Sequence, residues 1–289
     1  MQTVSTRVAL AKAVAAIKSG GKTLALVPTM GALHRGHLAL VEAARARADC
    51  VAVSIFVNPL QFGANEDLAT YPRQPDHDAA MLRAAGVDLV WAPTRDAMLP
   101  PGFATTVGVA GLDAALCGLH RPGHFDGVAT IVLKLFNQVR PDVAVFGEKD
   151  WQQLTIIRRM ARDLDLAQPS ADAIIAVATV READGLALSS RNRYLSPADR
   201  TRAGALNRAM RAGVAAIVAG EAVEPVLDRL RAALCDAGFD RIDYADVRTA
   251  DTLDPITDWQ GQAARLLVAA HIGGARLIDN LAVEPGCAA

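Results

Sequence analysis

The sequence predicts an open, mostly parallel α/β sheet followed by a smaller α+β domain, and three observations support that prediction. Short apolar runs at residues 23–27, 50–57, 87–91, 143–146 and 173–178 alternate with longer stretches whose apolar positions recur every three or four residues. That is the β, α, β order of strands joined by crossover helices. The run at 50–57 is apolar almost throughout, as a central parallel strand covered on both faces must be. After about residue 178 the order changes to two alanine-rich helical stretches and then three strand-like runs, so two domains are expected, residues 1–178 and 179–289, with the junction between Ala176 and Leu188. A chain of 289 residues, 52% of them apolar, has material for both cores.

Taken in order, residues 5–18 read as a helix on the spacing of Val8, Ala11, Ala15 and Lys18, closed by Gly20 and Gly21. The strand at 23–27 runs into V-P-T-M-G-A-L-H-R-G-H (27–37), where Pro28, Gly31 and Gly36 punctuate a turn before a helix marked by Leu38, Val41, Ala44 and Ala48. Asn58 and Pro59 end the next strand. The loop 58–76 that follows, with Asn58, Gln61, Phe62, Asn65, Tyr71 and Arg73, is of a length that often serves function in compact domains. A helix at 75–85 and the strand 87–91 come next. Within 93–125 prolines and glycines are frequent, only 105–109 reads as a strand, and 119–125 is loop chemistry. Helical spacing returns at 127–139. After the strand 143–146, Gly147, Glu148, Lys149 and Asp150 open a helix running to about residue 165, which repeats the earlier strand, glycine turn and helix. Beyond the strand 173–178 lies T-V-R-E-A-D-G-L-A-L-S-S-R-N-R (179–193), then one long helix at 198–219, another at 223–237, and strands at 244–247, 266–270 and 275–279. The tail is expected to fray from Glu284.

Composition excludes several classes. A net charge of −1 and a pI of about 6.6 provide no basic field for nucleic acid. Cys50, Cys117, Cys235 and Cys287 lie far apart without C-x-x-C spacing, which fits free thiols in a reducing compartment. No segment reaches the roughly 18 apolar residues of a membrane span, and no secretory leader is recognisable. A cytoplasmic protein without membrane partners is expected.

The chemistry centres on residues 27–37. A helix N-terminus after a strand favours a bound anion through unpaired backbone N–H groups and the helix dipole. His34 and His37, three residues apart, share one helical face there, and Gly36 allows close approach of a ligand. In an open α/β sheet the loops after Val27, Val57 and Phe146 gather at the strands' carboxyl ends. Lys149 would bring a mobile point charge to phosphate. Ser189, Ser190 and Arg191, on a loop containing Gly185, combine hydroxyls, amides and a guanidinium suited to a triphosphate. Gln61 and Gln153 offer donors and acceptors for a substrate bearing hydroxyls and a carboxylate. Neither a G-x-S-x-G elbow nor a Walker-type loop is present. A transition metal on His34 and His37 lacks a third ligand of suitable spacing. His77, His120 and His271 read as structural or surface residues, whereas His124, in R-P-G-H-F, stays open.

Through P-T-M-G-A-L-H-R-G-H (28–37), F-V-N-P-L-Q-F (56–62), Y-P-R (71–73), R-P-G-H-F (121–125), F-G-E-K-D-W-Q-Q-L (146–154) and D-G-L-A-L-S-S-R-N-R-Y-L (184–195), the chain resembles the H-x-G-H nucleotidyltransferase superfamily, and more narrowly the pantoate–β-alanine ligase family. The resemblance implies a Rossmann-like nucleotide- and pantoate-binding domain, with the smaller domain closing over the ATP site. It implies two steps: ATP and pantoate give pantoyl adenylate and pyrophosphate, and β-alanine then displaces AMP. On that basis Met30, Gly31, Ala32, Leu33, His34, Arg35, Gly36 and His37 would line the ATP site, with His34, His37 and Lys149 catalytic and His37 the proton donor. Gly147, Glu148, Lys149 and Asp150 would hold ribose and phosphates together with Val180, Leu188, Ser189, Ser190 and Arg191. Gln61 and Gln153 would hold pantoate, Gln61 and Asn58 would meet β-alanine, and Mg²⁺ would travel with ATP, its ligands unassigned. A homodimer is implied as well.

Three positions depart from the family pattern: Leu188 in place of methionine, Ala178 in place of proline, and His77 in place of an acidic residue. Leucine for methionine conserves volume. His77 weakens any carboxylate support of the metal from that loop, although Asp76 and Asp78 flank it. Two other readings stand beside the ligase. One is an adenylyltransferase acting on a phosphate acceptor, against which the paired glutamines argue. The other is a non-catalytic nucleotide-binding module, which has less need of both histidines and Lys149.

Overall fold

The structure, a computed structural model, describes residues 1–63 and 66–285. Asn65 of the long loop, Cys287 and the last residues of the tail lie outside the described residues. The chain divides into two units, Met1–Gly147 with Gln153–Ala178, and Glu148–Gln152 with Thr179–Ala289.

The first unit runs β1 (Gln2–Val4), α1 (Arg7–Ser19), β2 (Leu24–Thr29), α2 (Arg35–Arg45), β3 (Cys50–Ile55), a 3₁₀ turn (Pro59–Gln61), α3 (Pro75–Ala84), β4 (Leu89–Trp91), α4 (Arg95–Met98), α5 (Cys117–His120), α6 (His124–Val139), β5 (Val143–Gly147), α7 (Trp151–Asp163) from Gln153 onward, and β6 (Ile174–Val177). All six strands are parallel, in the order β1-β4-β3-β2-β5-β6. Side chains alternate between the faces. Ala25, Val27, Val51, Val53 and Val145 pack with Val41 and Ala44 of α2 and Leu82 of α3. Phe146 turns the opposite way and meets Phe136 of α6 edge-on, with ring centroids 6.3 Å apart. Each buried Val or Leu is worth roughly 1.5–3 kcal/mol, so a one-residue slip of β2 would forfeit several at once.

The strand order reverses its direction of travel at β2, which has β3 on one side and β5 on the other. Ligands in such sheets bind outside the carboxyl ends at that switch point. Thr29 and Gly147 are those ends.

The sequence does not announce β1, three residues paired to β4 at the sheet edge. The strand expected at 105–109 does not form. That segment lies along α6, where Val107 N–H donates to Thr130 Oγ1 at 2.9 Å, so a side chain takes the bond a neighbouring strand would have made. The helix expected from Gly147 starts instead as a 3₁₀ turn, Glu148–Asp150, before α7.

In the second unit the expected helix at 198–219 is two helices, α8 (Pro197–Ala203) and α9 (Ala205–Val218). They part at Gly204, against which the Asp184 carboxylate packs; a Cβ there would lie 2.7 Å from Asp184 Oδ2, whose charge Arg200 holds at 2.6 Å. After α10 (Val223–Asp236) come β7 (Arg241–Thr249), β8 (Ala264–Ile272) and β9 (Ala275–Val283), an antiparallel sheet in the order β7-β8-β9. Gly273 and Gly274, with φ of 55° and 76°, form the two-residue turn between β8 and β9, since both central positions need left-handed backbone. Met210, Val214 and Ile217 of α9 and Val226, Leu230 and Leu234 of α10 close the core over Leu266, Val268 and Leu277.

One buried charge in this sheet links its stability to pH. Asp243 accepts from Arg276 Nε at 2.8 Å, Arg241 Nε at 2.9 Å and His271 Nε2 at 3.1 Å. Burial opposes its charge, but Arg276 and His271 outweigh burial and lower the carboxyl to about 2. Because the folded value lies below the unfolded one, this stabilisation is present above about 4 and is lost as the pH falls towards 2. Asp243→Asn should therefore lower the thermal midpoint at neutral pH, and its deficit against wild type should shrink over that acid range. A deficit that stays constant on acidification would show that the carboxylate charge contributes nothing.

Candidate active site

The turn after β2 is shaped by backbone conformation before any ligand is considered. Gly31 and Ala32 are consecutive left-handed residues, with φ of 79° and 50°, and alanine does not adopt that region without strain. Asp78 of α3, 1% exposed, holds them there: its Oδ2 accepts from Ala32 N–H at 2.9 Å and its Oδ1 from Leu33 N–H at 2.8 Å. Gly31 is needed as well, because a Cβ would lie 3.0 Å from Asp78 Oδ2 and 3.1 Å from Ile55 Cγ2. Thr29 Oγ1 accepts from Gly31 N–H at 3.2 Å and donates to Ser54 O at 2.7 Å.

The two histidines then cap α2. His34 is its N-cap, with Nδ1 accepting from Gly36 N–H at 3.2 Å; His37, three residues on, accepts from His34 N–H through its own Nδ1, also at 3.2 Å. This is the reciprocal geometry of a capping box, built from imidazoles. The rings lie 4.1 Å apart at 38°. An Nδ1 that accepts a backbone N–H holds no proton, so each neutral ring has its proton on Nε2.

The sequence points to backbone N–H groups at the start of α2 as an anion site, and several amides of this turn are already engaged: those of Ala32 and Leu33 by Asp78, and those of His34 and Gly36 by the histidines. The imidazole Nε2–H groups add side-chain donors to the turn. Ala32 and Leu33 have buried side chains, Met30, His34, Gly36 and His37 are half-buried, and Arg35 is exposed.

Gln61 closes the 3₁₀ turn after β3, and its amide has a defined polarity. Asn58, 1% exposed, accepts Leu60 N–H at Oδ1 and donates from Nδ2 to Gly127 O at 3.0 Å and to Gln61 Oε1 at 2.9 Å. Gln61 Nε2 consequently faces Met30 Sδ, 3.0 Å away. Gln153, half-buried near the start of α7, belongs to the same unit. A cavity of about 500 Å³ opens on the β3 and β4 side of these loops, lined by Arg73, Arg95, Gln74 and Phe56; of the expected site residues, Met30 and Gly31 reach it.

Of the remaining expected residues, Gly147 ends β5 in the first unit, and Glu148, Lys149, Asp150, Val180, Leu188, Ser189, Ser190 and Arg191 belong to the second. Lys149 Nζ stands 3.8 Å from Asp150 Oδ2. Its backbone is fixed by Asn280, whose Nδ2 donates to Glu148 O at 2.8 Å and Lys149 O at 3.1 Å. Arg265 ties Glu148 Oε2 at 3.1 Å and Asn280 Oδ1 at 2.9 Å, and its guanidinium lies 3.5 Å above the Trp151 ring. Val180 O accepts Leu188 N–H at 3.0 Å in a tight return through Gly185, and Ser189 Oγ caps the 3₁₀ turn Ser190–Tyr194 that contains Arg191. Among the described residues no three His, Cys, Asp or Glu side chains cluster as a metal site.

Sequence reasoning passed over Asp78, Arg265 and Asn280. Asp78 was visible only as an acid beside His77. The run Asp279-Asn280 inside an apolar strand was the available signal for the other anchor, since buried polar residues in a strand need partners.

Comparison with known proteins supplies the family. The family profile described as pantoate-beta-alanine ligase matches residues 2–282. A pantothenate synthetase of Novosphingobium aromaticivorans is 61% identical over 285 residues, covering 99% of this chain and 100% of that protein. One of Sphingopyxis alaskensis is 56% identical, covering 98% and 100%. The crystal structure of pantothenate synthetase from Thermus thermophilus superposes with a TM-score of 0.92 at 49% identity, covering 99% and 100%. That of the Francisella tularensis ligase, complexed with beta-gamma ATP and beta-alanine, gives 0.77 at 30% identity, covering 97% of each chain.

Asp78→Ala removes both acceptors and leaves two buried N–H groups unsatisfied, a loss of about 2–5 kcal/mol. Denaturant unfolding should show it, and Asp78→Asn, which keeps the volume and one acceptor, should lose less. Equal stability of Asp78→Ala and wild type would refute the role given to this carboxylate. With its sheet order, its capped histidines and its match over residues 2–282, the chain belongs to the pantoate–β-alanine ligase family.

Proposed function

We propose that this ligase condenses pantoate with β-alanine at the expense of ATP by way of pantoyl adenylate, with AMP and pyrophosphate as by-products. The observation that carries the reading is the pair of capped imidazoles after β2, each with Nδ1 committed to backbone and its proton on Nε2. In the first step a pantoate carboxylate oxygen attacks the α-phosphorus, and negative charge builds on the phosphoryl oxygens and the leaving pyrophosphate. His34 and His37 donate hydrogen bonds to those oxygens from Nε2 and each keeps its proton, and Lys149 supplies a cation. Met30 to His37 and Gly147 to Asp150 line the ATP site with Val180, Leu188, Ser189, Ser190 and Arg191. In the second step the β-alanine amine attacks the acyl carbon, AMP leaves, and the amine proton is lost.

Gln61 and Gln153 hold pantoate. Asn58 engages Gln61 Oε1 and so orients the amide, whose Nε2 donors match the oxygens of pantoate or the carboxylate of β-alanine. Asn58, buried with both ends of its amide bonded, acts on β-alanine through Gln61. Mg²⁺ is brought by the triphosphate and neutralises its charge. No helix is long and apolar enough to cross a membrane among the described residues; the cytoplasmic location rests on the dispersed cysteines and the composition, and the homodimer on the resemblance alone.

Pantoate-dependent pyrophosphate release from ATP and Mg²⁺, with and without β-alanine, tests the reading. Release that requires pantoate, with AMP appearing only when β-alanine is added, is expected; release indifferent to pantoate would refute it. His37→Ala and Lys149→Ala should each lose roughly 10²–10³ in single-turnover adenylate formation while retaining wild-type circular dichroism. A near-normal rate in either would remove that residue from the mechanism.

A further inference from the structure

We infer that Arg121 and His124, at the start of α6, are positioning residues that set pantoate affinity by clamping the backbone of Gln61. The inference rests on the reading of Gln61 as a pantoate contact and adds to it the device that holds the contact in place.

The Gln61 carbonyl ends the 3₁₀ turn Pro59–Gln61 and needs donors from elsewhere. It receives two: His124 Nδ1 at 2.8 Å and Arg121 Nη2 at 3.2 Å. Since a carbonyl only accepts, Nδ1 of His124 bears the proton, and Nε2 is the acceptor for Arg121 Nη1 at 3.0 Å. Arg121 is in turn fixed by Glu66, through Nε to Oε1 at 2.8 Å and Nη2 to Oε2 at 2.6 Å. The guanidinium therefore joins both sides of the loop to α6. Gly123, left-handed at φ 77°, folds the chain so that residues 121 and 124 converge. Gly127, one turn on, admits the Leu60 carbonyl, which a Cβ would meet at 2.2 Å.

Gln61 is thus held from two directions. Asn58 sets the polarity of its amide, and the Arg121–His124 pair sets where its Cα stands. The clamp is anchored in a helix whose Phe125, Val128, Ala129 and Phe136 are buried in the core. Displacing a substrate-holding group by about 1 Å can cost up to about a hundredfold in rate without any change in the reacting groups.

Steady-state pyrophosphate release, titrated separately with pantoate and with ATP, tests the inference. His124→Ala and Arg121→Ala should raise KM for pantoate about tenfold or more while KM for ATP stays within about twofold. His124→Asn, whose amide nitrogen can occupy the position of Nδ1, should restore most of the affinity. In the Gln61→Ala background, His124→Ala should add nothing further. If Gln61→Ala raises the pantoate KM and neither clamp variant does, the clamp is overturned and the pantoate site stands. If Gln61→Ala itself leaves that KM unchanged, the pantoate reading fails, and the clamp with it. If the clamp variants raise both KM values together and lower the thermal midpoint, Arg121 and His124 serve the fold alone, and the positioning role is overturned.

Discussion

The carboxylate of Asp78 holds the backbone ahead of α2, and the surrounding turn depends on it. One oxygen holds Ala32 N–H and the other Leu33 N–H, so a strained alanine and the preceding glycine are locked into left-handed backbone inside the core. Asp78 itself lies in the first turn of α3, so one charge meets the amides ahead of α2 and the positive end of another helix. Two helix starts are registered to each other by one side chain. Neither Gly31, which a Cβ would push into that carboxylate, nor the direction in which residues 33–37 leave the sheet is independent of it.

With those amides engaged, side chains enlarge the set of donors the turn can offer. A peptide N–H can only donate, and its position is fixed by the helix. An imidazole with Nδ1 in a cap is held nearly as firmly, and it presents at Nε2 a proton that can be shared with a ligand oxygen. Protonating Nδ1 would set a proton against a backbone N–H and break the cap, so the neutral ring is the form the geometry accommodates. Under the proposed reaction His34 and His37 act as neutral donors, and positive charge at the phosphates would come from Lys149 and a metal carried by the nucleotide. Serine, threonine or aspartate would cap this helix as well or better, but none would offer a second nitrogen.

Much of the fold was legible because periodicity and turn residues agree over long stretches. Five of the six strands of the large sheet follow from short apolar runs, and the crevice at β2 and β5 follows from their order. The failures share a cause: a single tertiary contact outweighed local pattern. Val107 N–H donates to Thr130 instead of joining a strand, Asp184 packs against Gly204 where a helix divides, and three edge residues form β1 only because β4 is there to pair with. At the site, His34, His37 and Gln61 could be named from motif and position. The groups that fix them could not. Asp78 reaches Leu33 across 45 positions of chain and His124 reaches Gln61 across 63, separations over which sequence spacing carries no contact information. Asn58 stands only 3 positions from Gln61, but its direction of donation depends on the distant Gly127 carbonyl.

The segment after β5 makes the same point about anchoring. Gly147 ends a strand of the first unit and Gln153 returns to it, but Glu148–Gln152 belongs with the second unit. Its carbonyls are held by Asn280 of β9, its glutamate by Arg265 of β8, and its tryptophan by the same arginine. Asn280 is 3% exposed and accepts from Arg265 Nη1 while its Nδ2 donates to the Glu148 and Lys149 carbonyls, so its amide nitrogen serves this segment and its oxygen ties it to β8. Lys149 therefore takes its backbone position from the small antiparallel sheet, whereas Gln153 takes its position from the parallel one. The lysine proposed for phosphate and the glutamine proposed for pantoate, on adjacent turns of one short stretch, are in this way assigned to different supporting bodies.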